Sequence, residues 1–354
     1  MRPKITTAAL LSTSLLSAMA GAAHAQTLRA NWNSCLGADG STALVQIDGC
    51  TGVIQSTRED AGYLGVAYFN RGVRYQDWGA LDRALADYEA AIRHDPALAE
   101  AYAGRAGIAF AKADYGAAEA GYDQAVQLKP AFVDGWLGRA AARTARGDAA
   151  GALADYDRAV GLAPPTPGLL DERGLAYERL GDVERARADF AAALALEPGY
   201  APALAHRAAL SARLGERDKA LADYDAALKA RPDFAEALLG RAAVRASKGD
   251  LARAEADSEA ARQAAPNDAR AWFDKAYLQS LHGEYQAAVQ TYGEAIARND
   301  RDPAAYNNRG DARLSLGDLA GAKADFDQAL ALRPGYALAL ANRARARQAL
   351  GDDP

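Results

Sequence analysis

The chain has 354 residues, a quarter of them charged, with 41 Lys and Arg against 46 Asp and Glu. That mildly acidic balance makes nucleic acid a poor candidate ligand, because phosphate recognition demands a basic stripe. Arginine outnumbers lysine 33 to 8, which a high-GC bacterial coding bias explains as well as any function does.

The first 25 residues have the order of a secretory signal. Arg2 and Lys4 form a charged start, Ile5 to Ala22 a weakly apolar stretch, and Ala23-His24-Ala25 a small-x-small cleavage site. The mature chain is therefore expected to begin at Gln26 and to be periplasmic or secreted. Loss of Arg2 and Lys4 leaves 39 cations against 46 acids, a net charge of −7. The apolar stretch is nearly long enough for an uncleaved anchor, but its Ser and Thr content and the placed cleavage site favour removal. No membrane span is expected after that.

Cys35 and Cys50 follow, and the chain has no other cysteine. In an exported protein an even, close pair reads as a disulfide. No histidine lies near, and two thiolates alone do not complete a zinc shell, so neither metal nor cofactor is expected. Residues 26–64 read as an N-terminal cap that contains a degenerate repeat over 31–64. Its first helix is expected to be shrunk to the segment around Trp32, with the disulfide stapling a weak end.

From Gly65 to Tyr336 run eight blocks of 34 residues without insertion or deletion. With Gly65 as position 1, position 20 is alanine in every block (Ala84, Ala118 and Ala152 in the first three), and so is position 27 (Ala91, Ala125, Ala159). These two fall on one helix face and let a second helix approach closely. Position 24 is a ring in seven blocks (Tyr88, Tyr122, Tyr156, Phe190, Tyr224, Tyr292, Phe326), with Ser258 the exception. Position 15 is glycine except at Ala113, as a left-handed helix end requires, and an acid such as Asp114 or Asp148 often follows as an N-cap. Position 32 is proline except at Asp300, and proline ends a helix. Each block is thus a helix, a tight turn and a second helix, with no strand. Residues 337–354 continue the register as one more first helix, a polar solvating cap rich in arginine.

A fixed period of this length defines a solenoid, and the small–aromatic–small–proline spacing at positions 20, 24, 27 and 32 resembles the tetratricopeptide repeat family. The Gly-x-x-Tyr of Gly72 and Tyr75, and of Gly174 and Tyr177, matches the family too. The resemblance implies an all-α, right-handed superhelical solenoid of antiparallel helix pairs. It also implies that a concave groove, lined by positions 2, 5, 6, 9, 12 and 13 of the first helices, takes a protein or peptide partner. On that basis the groove residues are Phe69, Val73 and Phe110 at one end, Arg179 and Arg213 in a charged middle, and Phe273, Tyr277, Asn307 and Asp311 at the other. Such a surface suits an extended peptide or an amphipathic helix. Alternatively, the rings pack against adjacent first helices. The Lys and Asn clamp by which some family members hold chaperone tails is missing, since position 5 is never basic and position 9 never asparagine.

Position 7 is basic in all eight blocks, from Arg71 to Arg309, and position 23 is aspartate in six, among them Asp87, Asp155 and Asp257. The matched signs predict pairing with a neighbouring second helix that knits repeat to repeat. Where the acid is missing, at Gly121 and Thr291, the nearby cation is expected to be freer for a ligand. Asn299 to Asp302 lacks the spacing and closing glutamate of a calcium loop and reads as a polar turn. No nucleophile elbow, phosphate loop or helical zinc motif occurs, so no catalysis is expected. The expected function is a non-catalytic interaction scaffold of the bacterial envelope. The alternative is a regulatory or substrate-binding component of an envelope enzyme complex.

Overall fold

A computed structural model describes residues 22–352 except 39 and 57–59, with side chains from Gln26 onward; residues 1–21 of the expected signal segment lie outside these residues. The described residues form α-helices and no strand. In chain order they are α1 (Ala22–Cys35), α2 (Ala43–Ile54), α3 (Ala61–Asp77), α4 (Leu81–His94), α5 (Ala99–Ala111), α6 (Tyr115–Leu128) and α7 (Val133–Ala145). Next come α8 (Ala149–Leu162), α9 (Pro167–Arg179), α10 (Val183–Leu196), α11 (Ala201–Arg213), α12 (Arg217–Ala230) and α13 (Ala235–Ser247). The last six are α14 (Leu251–Ala264), α15 (Ala269–Leu281), α16 (Tyr285–Arg298), α17 (Pro303–Ser315), α18 (Leu319–Leu332) and α19 (Ala337–Leu350). This is an all-α helical-repeat solenoid.

The chain divides inside α10 into two compact units, Met1–Ala186 and Arg187–Pro354. In each, the two helices of a repeat pack on one another, and successive first helices also touch. The first unit has α3 on α5 and α5 on α7; the second has α11 on α13, α13 on α15, α15 on α17 and α17 on α19. First helices therefore share one side of each unit.

The repeat chemistry accounts for these pairs. Gly79, Gly147, Gly249 and Gly317 take φ of 77–84° at the end of the first helix. The following N–H then reaches back five residues, Ala80 to the Tyr75 carbonyl at 2.8 Å and Asp148 to that of Arg143 at 2.9 Å. Asp114, Asp148 and Asp318 next cap the second helix by accepting the N–H groups of Ala117, Gly151 and Gly321 at 2.9–3.0 Å. Ala113 makes the same turn at φ 60° without being glycine. Ala113→Gly is expected to raise stability by about 1 kcal/mol, the left-handed penalty less the chain entropy that glycine adds, as read from chemical denaturation. The residue before the position-32 proline is extended, as at Asp95 and Arg231, because proline bars it from the helical region. Asn299 takes the same conformation before Asp300, so here proline reinforces a turn the fold already sets.

Each position-24 ring is the core of its repeat. Tyr88, Tyr122 and Tyr224 lie so close to the next first helix that a Cβ on Gly104, Gly138 or Gly240 would sit 2.6, 2.2 and 2.2 Å from the respective ring or its hydroxyl. Burial pushes the Tyr122 hydroxyl up to about 12, which keeps it neutral.

At the N-terminal end Cys35 and Cys50 are bonded, joining α1 to α2. A loop of this length contributes roughly 3 kcal/mol in the chain-entropy account. Trp32, Val53 and Ala67 are buried around the bridge, and Trp32 meets Tyr63 edge-on at 6.3 Å. The first helix here is not the expected stub around Trp32: α1 has 14 residues and starts well ahead of the register. Gly49 and Gly52 explain how it fits, since a Cβ on either would collide with Asn31, so the two helices cross closely only because these residues are bare.

Candidate functional site

The repeated Arg–Asp pairs are structural, but they do not join the helices that the sequence suggested. Arg71 holds Asp87 through Nε and Nη2, both at 2.8 Å, inside one repeat, and Arg207–Asp223, Arg241–Asp257 and Arg309–Asp325 repeat this two-point contact. The join to the preceding repeat is made by the remaining nitrogen, to an acid at position 25. Arg139 Nη1 takes Asp123, Arg241 Nη1 takes Asp225 at 2.6 Å, and Arg343 Nη1 takes Asp327 at 3.1 Å. Antiparallel helices explain this: position 7 faces position 23 of its own pair, and its far edge overhangs the helix before. Lys275, expected to be freed by Thr291, is engaged by Glu259 at 2.8 Å. Arg262 and then Lys275 hold that carboxyl down to about 2. Arg105, opposite Gly121, stacks over Tyr102.

The predicted groove residues separate into two groups. Phe69 and Val73 are core, with Phe69 only 3% exposed and its ring 5.9 Å from that of Tyr88. Leu98 at the end of the same block and Ala101 and Ile108 of the next repeat close over them, so these two are corrected from groove to core. Asn307 is also buried, accepting a hydrogen bond from Asn342 at 3.2 Å and donating to Asn308 at 3.0 Å, and it links α17 to α19. Phe110 is half-buried edge-on to Tyr115, and Asp311 faces Arg345 at 3.7 Å. Arg179 and Arg213 are exposed at the ends of α9 and α11, in different units. Phe273 and Tyr277, one turn apart on α15, are the accessible rings: Phe273 is half-buried and Tyr277 44% exposed.

Phe273 lines a cleft of about 360 Å³ in the second unit. Tyr224, Leu239, Ala295 and Ala305 give it a buried apolar floor. Glu236, Arg270 and Asn299 stand exposed at its rim, with Asp274 and Asp302 half-buried in the wall. An apolar floor with a few polar groups at the mouth is the make-up of a ligand site. Sequence reasoning found Phe273 and missed Glu236, Arg270 and Asp274, although they occupy positions 2 and 6, which the family resemblance assigns to the groove. Asn299 accepts the Arg301 N–H at 3.2 Å and Asp302 that of Ala304 at 2.9 Å, a capping turn as expected. Beyond His24, the histidines rest against neighbours: His94 on Tyr68, His206 on Glu236 and His282 on Glu255.

Residues 207–269 and 273–337 match one family profile described as tetratricopeptide repeat, and residues 167–200 match a second. With the helix pairs above, the chain is a tetratricopeptide-repeat protein, of a family that in general binds protein partners without catalysis. No curated protein sequence matches it. Among solved structures, a tetratricopeptide repeat protein from Parabacteroides merdae covers 70% of this chain and 98% of its own, at 21% identity and TM-score 0.55. PilF of Pseudomonas aeruginosa covers 60% and 97%, at 16% identity and TM-score 0.53. A chain of the APC/C hetero-tetramer Cut9–Hcn1 covers 94% and 58%, at 14% identity and TM-score 0.52. Identities this low speak to the fold alone. Among the described residues no helix is long and apolar enough to cross a membrane.

Proposed function

We propose that the chain is an exported, non-catalytic scaffold of the bacterial envelope that holds an extended segment of a partner protein along the first helices of its second unit. The observation that carries this reading is the cleft beside Phe273, where a half-buried ring, an apolar floor and a polar rim from α13, α15 and α17 meet Tyr224 of α12 and Ala295 of α16. A side chain set into such a pocket anchors a peptide, and the exposed Tyr277 extends the contact by one turn. Export rests on the charged start, apolar stretch and Ala23-His24-Ala25 site of the first 25 residues.

Phe273→Ala should leave helical content intact and weaken retention of envelope partners at least fivefold, as truncating an anchor by more than about 1 kcal/mol does. Intact mass of the exported protein should place its N-terminus at Gln26. Undiminished capture by the variant contradicts the site, and a membrane-embedded species starting at Met1 contradicts the location.

A further inference from the structure

The cleft carries three carboxylates, Glu236, Asp274 and Asp302, against one cation, Arg270. Three of these four charges already have partners inside the protein. Arg270 lays Nε and Nη2 on the Asp268 carboxylate at 3.1 and 2.7 Å. Glu236 lies 3.5 Å from His206 Nε2, and Asp302 caps α17. Asp274 is different. No hydrogen bond or ion pair engages it among the described residues, although it is half-buried in the wall beside Phe273. Burial pushes its carboxyl up to about 6; the Arg270 charge opposes that rise and Asp268 adds to it. At neutral pH it is a carboxylate kept partly out of water with no hydrogen-bond or ion-pair partner, an arrangement that costs free energy until a cation arrives.

Asp274 stands at position 6, which is glycine against the preceding ring at Gly104, Gly138 and Gly240 and carries a side chain after a ring at Glu172, His206, Asn308 and Asn342. The block before Asp274 is the one that carries Ser258 in place of a ring. Ser258 Oγ is buried without a hydrogen-bond partner, so neither the ring nor the contacts it makes elsewhere are replaced. Of the position-6 carboxylates Glu172 and Asp274, only Asp274 follows a block without a ring.

We infer that the cleft receives a cationic side chain, arginine or lysine, from the partner segment, with its aliphatic stem along Phe273 and Leu239 and its charge on Asp274. This inference rests on the peptide-binding reading above and specifies the anchor. The volume suits one long side chain rather than a helix. An apolar stem with a charged tip matches an apolar floor below an acidic wall, and the Phe273 ring face favours a cation over an anion. The excess of carboxylates turns away acidic segments, which makes the choice selective as well as attractive.

The test is selection of a random heptapeptide library on the full mature chain, followed by affinities of the selected peptides on variants. Peptides sensitive to Phe273→Ala should share one Arg or Lys. Exchange of that Arg for citrulline, its uncharged isostere, should weaken binding at least tenfold, and Asp274→Asn should do the same. Asp274→Asn relieves an uncompensated charge, so its thermal midpoint should not fall, which separates lost binding from lost folding. Phe273-dependent peptides with no common cation, or with affinity unchanged on Asp274→Asn, would overturn the cationic anchor while leaving the peptide site standing. Selection of no Phe273-dependent peptide would overturn both.

Discussion

Asp155→Ala should lower the unfolding free energy by about 3 kcal/mol, the low end for breaking a buried ion pair. Asp155 is 1% exposed and accepts Arg139 Nε at 3.0 Å, Arg139 Nη2 at 2.7 Å and Arg143 Nη1 at 2.8 Å. Removing it leaves two guanidinium groups facing a low-dielectric gap. Asp123 and Glu119 still hold the outer nitrogens, which is why the low end applies. The hydrogen bonds that Arg139 donates to Asp155 also hold its guanidinium above its ordinary value, so that cation stays charged. A double-mutant cycle with Arg139→Met should recover much of the loss, because the apolar replacement no longer strands a charge. A change below 1 kcal/mol in the single variant, from denaturant midpoints, would show the pair to be solvent-compensated.

Phe69→Ala should cost about 3–5 kcal/mol, as a fully buried ring does when truncated. Its ring is enclosed by Tyr88, Leu98, Ala101 and Ile108. The half-buried Phe273, at the same position two hundred and four residues on, should cost far less stability. Thermal unfolding of both variants checks the contrast. Equal losses would mean that the two rings share one environment and that the cleft does not open beside Phe273.

Those two rings also mark how far the sequence could be read. The period, the helix–turn–helix unit, the left-handed glycines and the Asp caps are local signals, so they were legible residue by residue. The Cys35–Cys50 bridge was legible because only two cysteines exist. What the register hides is how side chains of the same position meet different neighbours. Phe69 and Phe273 both stand at position 5, yet Phe69 is closed over by Leu98 and Ile108, whereas Phe273 meets Asp302 at the end of its own block and Ala305 of the next at the cleft. The Arg–Asp pairing was misplaced for a similar reason: both signs recur in every neighbouring block, so spacing alone does not say which carboxylate a given guanidinium reaches. The shape of α1 was hidden too, since Gly49 and Gly52 decide it by leaving room rather than by adding a contact. A further sequence signal was Ser258, the single break in the ring series, in the block that precedes Phe273 and Asp274.

The central claim is that the first-helix face of the second unit holds a protein partner. Site-specific photocrosslinking tests it most directly, with a benzophenone amino acid replacing the exposed aromatic Tyr277 and, as a reference, the exposed Leu128 at the end of α6. The account predicts a discrete protein adduct from position 277 that disappears when Phe273→Ala is added, and no such adduct from position 128. An adduct from position 128 alone, or one from position 277 that is indifferent to Phe273→Ala, would contradict it.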